Sequence, residues 1–347
     1  MQLGIPHRAS RSSRPRLRAP LDQQAIGLLV VACILFVVPV LFGRSPYFMQ
    51  LGVTTCLFAA LAESLNLITG MTGPVSFAHA AFYAIGAYAS ALLALHLGLG
   101  FWGGFIGALV LTSALGLLLG LPTLRLGGSY LAIATIGLQV IVQGVLLQWV
   151  GLTNGPTGIT NIMKPTLFGW SIEQGVPYYL FVAAWLCLIL LLLHRITRSR
   201  LGYELLAIRE DERAALAIGV PVSRLRVAMF TLAAALAGGT GSLYAHYIGS
   251  IDPYVFDLTL SATVLVTVLL GGRGSIIGVL VSAALLTLLP EYLQVLSNYR
   301  IVLYGAGMLL LTLFFPKGLA GLSPSRWLLR PATPPPLPEG GGGRTDA

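Results

Sequence analysis

The segment FMQLGVTTCLFAALAESLNLIT, residues 48–69, decides the fold. It is 22 residues long by its own numbering and carries one ionisable side chain, Glu63. A helix that crosses the hydrocarbon core needs about 20 mainly apolar residues, because the core is about 30 Å thick and a helix rises about 1.5 Å per residue. The segment meets that length. Glu63 and Asn66, with Gly70 just beyond, stand at i, i+3 and i+7, so they share one helix face. A carboxyl in hydrocarbon costs on the order of 3 kcal/mol or more, so this face must turn toward other protein. It serves either an interhelix hydrogen bond or a polar path through the bundle.

Outward from this segment the pattern repeats. Apolar runs fall at 24–43, 75–97, 101–121, 129–150, 176–194, 225–248, 258–270, 275–297 and 301–315, which predicts an all-α integral membrane protein of about ten transmembrane helices. Composition agrees: 56% of the 347 residues are hydrophobic, 10% are charged, and the mean hydropathy is +0.84. A soluble domain carries about 25% charged residues. The first run follows Arg8, Arg11, Arg14, Arg16 and Arg18 and so resembles a secretion signal, but its length and the lack of a small-residue cleavage site predict a retained helix. The cysteines, Cys33, Cys56 and Cys187, lie within apolar runs and suggest neither a disulfide framework nor a metal site.

Charge then orients the chain. With both termini cytoplasmic, all but Arg44, Lys164 and Arg300 of the 21 Lys and Arg fall on the inner side. The net charge of +9 is therefore a topology signal, and nucleic acid is not an expected partner. The expected organisation is a basic cytoplasmic tail over 1–23, a membrane domain over 24–322 with a large inner loop at 195–226, and a Pro/Gly-rich tail over 323–347 whose composition suits disorder. Small-residue spacings such as Gly103–Gly107, Gly116–Gly120 and Gly274–Gly278 permit close helix packing in lipid.

The inner loop reads SRLGYELLAIREDERAALAIGVPVSRLR. Between Tyr203 and Ile218 it is rich in helix formers, and Leu205, Ile208, Ala215 and Ile218 recur at near-helical spacing. Arg209, Glu210, Asp211, Glu212 and Arg213 take the polar side, and Gly219 with Pro221 ends the helix. Such an amphipathic helix either lies along lipid headgroups or docks into a groove on a partner.

Within this loop, ERAALAIG is similar to the coupling loop of ABC importer permeases, an acidic–Ala–Ala run followed after three residues by Gly. Ala214, Ala215 and Gly219 match, and Arg213 interrupts the run after Glu212. Together with GMTGPVSFAHAAFYAIGAYASALL, LRLGGSYLAIATIG, AGGTGSLYAHYIGSIDPYVF and GGRGSIIG, the chain resembles the LivM-type permeases of branched-chain amino acid ABC importers over residues 48–321. Pro74 and Ala78 stand where that pattern has Gln and Gly, and Val140 where it often has Glu. The resemblance implies a bacterial inner-membrane protein that forms half of a translocation pathway. It also implies two ATPase subunits, a second homologous permease and a solute-binding protein as partners. Arg209, Asp211, Glu212, Arg213, Ala214, Ala215 and Gly219 are then the expected ATPase-coupling residues.

Candidate path-lining residues are Glu63, Asn66, Ser76, His79, Thr135, Gln139 and Gln143. Ser76 and His79 follow a Gly/Pro break at 70–74, which suggests an interrupted helix, tolerated where protein or a water-filled cavity covers the freed backbone. Thr135, Gln139 and Gln143 form a neutral i, i+4, i+8 stripe, which can line a path for a zwitterion or bond to neighbouring helices. In the outer loops, Lys164, Glu173, Asp252 and Asp257 are either solvated charges or contacts for a binding protein.

The chain has no GxxxxGK[ST] phosphate loop, since Lys164 precedes Pro and Lys317 precedes Gly. No catalytic residue, bound cofactor or metal is expected, and ATP is assigned to partner subunits. An ion-coupled secondary transporter would show several intramembrane carboxylates, and a passive channel a repeated selectivity element. Importers of urea and short-chain amides use closely similar permeases and stay open as an alternative.

Overall fold

The computed structural model describes residues 20–123, 129–167, 170–172, 174–292 and 305. Twelve helices are described: α1 (Pro20–Phe42), α2 (Pro46–Leu65), α3 (His79–His96), α4 (Gly100–Thr123), α5 (Ser129–Gln148), α6 (Val150–Thr153), α7 (Val176–Arg198), α8 (Arg200–Glu210), α9 (Glu212–Ala217), α10 (Val222–Ile248), α11 (Leu258–Gly271) and α12 (Ile276–Tyr292). Among the described residues the only paired strands are two-residue β1 (Thr166–Leu167) and β2 (Trp170–Ser171), an antiparallel hairpin between α6 and α7. Among the described residues, six helical segments are long and apolar enough to cross a membrane: 46–70, 100–121, 130–148, 176–198, 222–248 and 253–271. Helices occupy nine of the ten expected runs. Of the tenth, at 301–315, only residue 305 is described, and residues 1–19 of the basic tail, Arg125 and the tail over 323–347 lie outside the described residues.

Among these six segments, 46–70 and 222–248 are the most buried, whereas those of α4 and α5 are mostly unburied. Along much of its length α10 packs on α3 and α4, and it also meets α2. Glycine makes this approach possible. A Cβ on Gly86 of α3 would stand 2.1 Å from the Gly238 carbonyl oxygen of α10, and one on Gly241 would stand 2.0 Å from the Tyr83 carbonyl oxygen. Side chains at these points would push the helices apart, as expected for packing in lipid. Of the expected spacings, Gly107, Gly116 and Gly278 face neighbouring elements, whereas Gly103 faces Leu99, in the connection just before its helix.

Two ends of the bundle can be told apart from its contacts. At one end Arg226, near the start of α10, forms a bidentate pair with Glu212, at 2.8 and 2.9 Å. At the other, Trp102 Nε1 donates to the Thr166 carbonyl at 2.8 Å, Ile162 N donates to the Gly249 carbonyl at 3.0 Å, and Ile159 bridges Ile251. These are the segments that the charge pattern assigns to opposite sides.

The inner loop differs from its expectation in two ways. It is two helices, α8 and α9, because Asp211 adopts extended backbone (φ −154°, ψ 110°). Its Oδ1 accepts from Arg213 N at 2.8 Å and Ala214 N at 3.0 Å. Asp is poor inside a helix and among the best residues just before one, since its carboxylate satisfies amides that have no intrahelical partner. The second correction concerns faces: Leu205, Ile208 and Ala215 are buried as expected, but Ile218 is 75% exposed. It lies past the end of α9, where Gly219 (φ +86°) turns the chain. Gly219 N bonds to Leu216 O and Val220 N to Ala215 O, both at 3.0 Å, a Schellman stop.

Candidate functional site

The α2 helix does not simply end. Its last turn widens into a π-turn, Asn66–Gly70, in which Met71 N bonds to Asn66 O at 3.0 Å and Gly73 N to Ile68 O at 3.2 Å. Residues 71–78 then run without helix until α3 begins at His79, so the expected break is present and the expected run at 75–97 starts late. The non-helical segment is covered by protein. Phe77 N donates to Thr135 Oγ1 of α5 at 3.0 Å, Ser261 Oγ of α11 donates to Phe77 O at 2.7 Å, and Ala80 N donates to that same Oγ at 3.1 Å. Side-chain hydroxyls thus replace the missing helical partners, the condition for irregular backbone at membrane depth.

At the lower edge of the break, polar groups from three segments converge. Asn66 Nδ2 donates to Glu63 Oε2 at 3.1 Å, and Asn66 Oδ1 accepts from Gly274 N at 2.9 Å. Gly70 offers its carbonyl to Arg209 Nη1 at 3.0 Å, and the same nitrogen donates to the Arg273 carbonyl at 2.9 Å. There is no room for other residues here. A Cβ on Gly70 would lie 1.8 Å from Asn66 Oδ1, and one on Gly274 would lie 2.9 Å from Arg209 Nη1. Arg209, expected among the polar residues turned outward, is instead half-buried and directed into the bundle. Glu210, Asp211, Glu212, Arg213 and Ala214 are exposed.

The remaining expected path residues are placed as follows. Glu63, Asn66, Ser76 and His79 are fully buried, and Glu63 Oε1 and both His79 ring nitrogens have no hydrogen-bond partner among the described residues. Ser76 Oγ accepts from Ala78 N at 3.3 Å. The His79 ring meets Phe82 edge-on at 6.3 Å. Thr135 and Gln139 are buried and bonded within the chain, Gln139 Nε2 donating to Phe256 O at 2.8 Å; Gln143 is half-buried. In the loops, Asp252 and Asp257 cap the short helix at Pro253–Val255 and α11, accepting from Tyr254 N and Leu260 N, each at 2.8 Å. Glu173 lies outside the described residues.

Reasoning from sequence missed one network. Ser242 Oγ donates to Ser90 Oγ at 2.6 Å, Ser90 Oγ meets His246 Nε2 at 2.9 Å, and His246 Nδ1 meets the Met163 carbonyl. A carbonyl only accepts, so the proton sits on Nδ1. With a neutral ring the donors then run one way, from Ser242 through Ser90 and His246 to Met163. The readable signal was an imidazole inside an apolar run, a costly placement that requires partners.

The sequence model of the family described as "Branched-chain amino acid transport system / permease component" matches residues 47–313. The chain is 35% identical over 328 residues to the high-affinity branched-chain amino acid transport system permease protein LivM of Salmonella typhimurium, covering 88% of this chain and 77% of that one. It is 36% identical over 315 residues to LivM of Escherichia coli K12, covering 84% and 74%. To LivH of the same strain it is 28% identical over 306 residues, covering 79% and 96%. No solved structure matches the chain significantly.

Proposed function

The chain belongs to the family of branched-chain amino acid transport permease components, and on that premise we propose that it forms part of the membrane pathway of an ATP-driven importer for branched-chain amino acids. It is a multi-pass protein of the bacterial inner membrane, and its own role is that of a permease. The full reading has about ten spanning helices with both termini in the cytoplasm. Its partners are two ATPase subunits that bind and hydrolyse ATP, a second homologous permease that completes the pathway, and a solute-binding protein on the outer side.

One observation carries the coupling part of the reading. The α8–α9 pair buries Leu205, Ile208 and Ala215 against the bundle while leaving Leu216 54% and Ile218 75% exposed beside a charged rim. Apolar side chains that project from a basic, cytoplasm-facing loop suit a groove on a partner. In the mechanism that follows, closure of the ATPases on ATP pushes α9. Glu212 ties α9 to Arg226 of α10, so the push reaches the helix that holds α3 and α4. Rigid motion of that unit opens the pathway to one side and closes it to the other.

Reconstitution tests this directly. Proteoliposomes with all partners take up leucine, isoleucine or valine only with internal ATP and the binding protein, and the permease chain without ATPases takes up none. Uptake by the chain alone rejects the proposal. Replacing Leu216 and Ile218 by Ser is expected to reduce ATPase co-purification without loss of membrane insertion.

A further inference from the structure

Arg209 belongs to the loop assigned to ATPase coupling, yet its guanidinium turns away from where an ATPase would bind. Nη1 of this one side chain joins two carbonyls on separate elements: Gly70, where the α2 π-turn ends, and Arg273, in the turn between α11 and α12. The Gly70 carbonyl is an acceptor left over at a helix C-terminus, where partial negative charge gathers, the Arg273 carbonyl lies in the turn just past α11, and a cation makes charge-assisted bonds to both. The two elements are also joined to each other through Gly274 N and Asn66 Oδ1. Directly after Gly70 comes the non-helical segment 71–78, whose far end is bonded to α5 and α11. Glycine leaves space beside the guanidinium: a Cβ on Gly274 (φ +78°) would stand 2.9 Å from Nη1.

We propose that Arg209 is a positioning strut that carries displacement of the α8–α9 loop into the break between α2 and α3 and into the α11–α12 turn. It touches neither solute nor ATPase. The proposal rests on the reading of the chain as an ATP-driven permease. It adds a second route for the motion, separate from the Glu212–Arg226 pair, that ends on the irregular backbone rather than on α10. Irregular backbone held by a few side-chain bonds changes shape more easily than a packed helix, so this is where a small push can act.

The test uses the complete importer in proteoliposomes, as wild type, R209A and R209K. Three quantities are read: ATPase co-purification, solute imported per ATP hydrolysed, and hydrogen exchange at residues 71–78 with and without ATP. For R209A, ATPase association is unchanged, import per ATP falls about tenfold, within the usual range for coupling between two sites, and the ATP-dependent change in exchange is lost. R209K has a cation but no planar fork, and gives intermediate import per ATP. Wild-type import per ATP in both variants overturns the proposal, and so does loss of ATPase association, which makes Arg209 a docking residue. If R209A does not fold and insert in the membrane, R209K decides, and a wild-type ratio again overturns the strut. A wild-type complex that shows no ATP-dependent import rejects the functional reading instead.

Discussion

Asn66 ties the end of α2 to the α11–α12 turn with one side chain, giving to Glu63 of α2 and accepting from Gly274 N. Asn66→Ala leaves a main-chain donor without its partner, and is expected to cost about 1–3 kcal/mol of stability. Glu63→Gln keeps an oxygen for Asn66 and is expected to cost clearly less. Thermal unfolding of the purified protein in detergent ranks the two; equal losses would show that the Gly274 bond is not what Asn66 supplies. That Glu63 and Asn66 share a face was legible from their spacing. That the face meets a turn more than 200 residues away was not, since local periodicity says nothing about which distant backbone group arrives there.

At the scale of elements, packing and capping separate cleanly. Gly86→Ala puts a methyl into the Gly238 backbone and is expected to cost about 1–3 kcal/mol, or to displace α10. Gly137→Ala, in open space on α5, is expected to leave the melting temperature unchanged or slightly raised. An equal effect of the two would refute the close α3–α10 approach. Asp211→Ala removes the cap of α9 and is expected to cost about 1 kcal/mol locally. Faster hydrogen exchange at Arg213 and Ala214, with α8 unaffected, reads that loss. The inner loop was correctly seen as helical from composition, but one continuous helix was expected because Asp211 sits within a run of helix formers. The capping bond that breaks the run depends on backbone geometry, which spacing alone does not specify.

For the whole molecule the prediction is one of sidedness. With native cysteines replaced, a cysteine at exposed Ile218 is expected to react with an impermeant reagent only from the cytoplasmic side. A cysteine at exposed Met163 is expected to react only from the other. Reaction of both from one side would break the ten-span topology. The opposite placement of these two residues in the bundle follows from α10, whose first turns meet Glu212 and whose last residue precedes Gly249, bonded to Ile162.

Sequence alone determined that this chain lives in a membrane, where nine of its ten expected helices run, that one break falls near Gly70–Pro74, and which loop is basic and helical. These are consequences of run length, charge bias and local chemistry, all written along the chain. Only the tertiary structure decided that Arg209 turns inward, that Asp211 divides the loop, and that Thr135 and Ser261 hold the non-helical segment. The Arg209, Thr135 and Ser261 bonds need a donor and an acceptor far apart in sequence to meet within hydrogen-bond distance, which is a property of helix packing, whereas the Asp211 cap is local and was decided by the extended backbone at that residue.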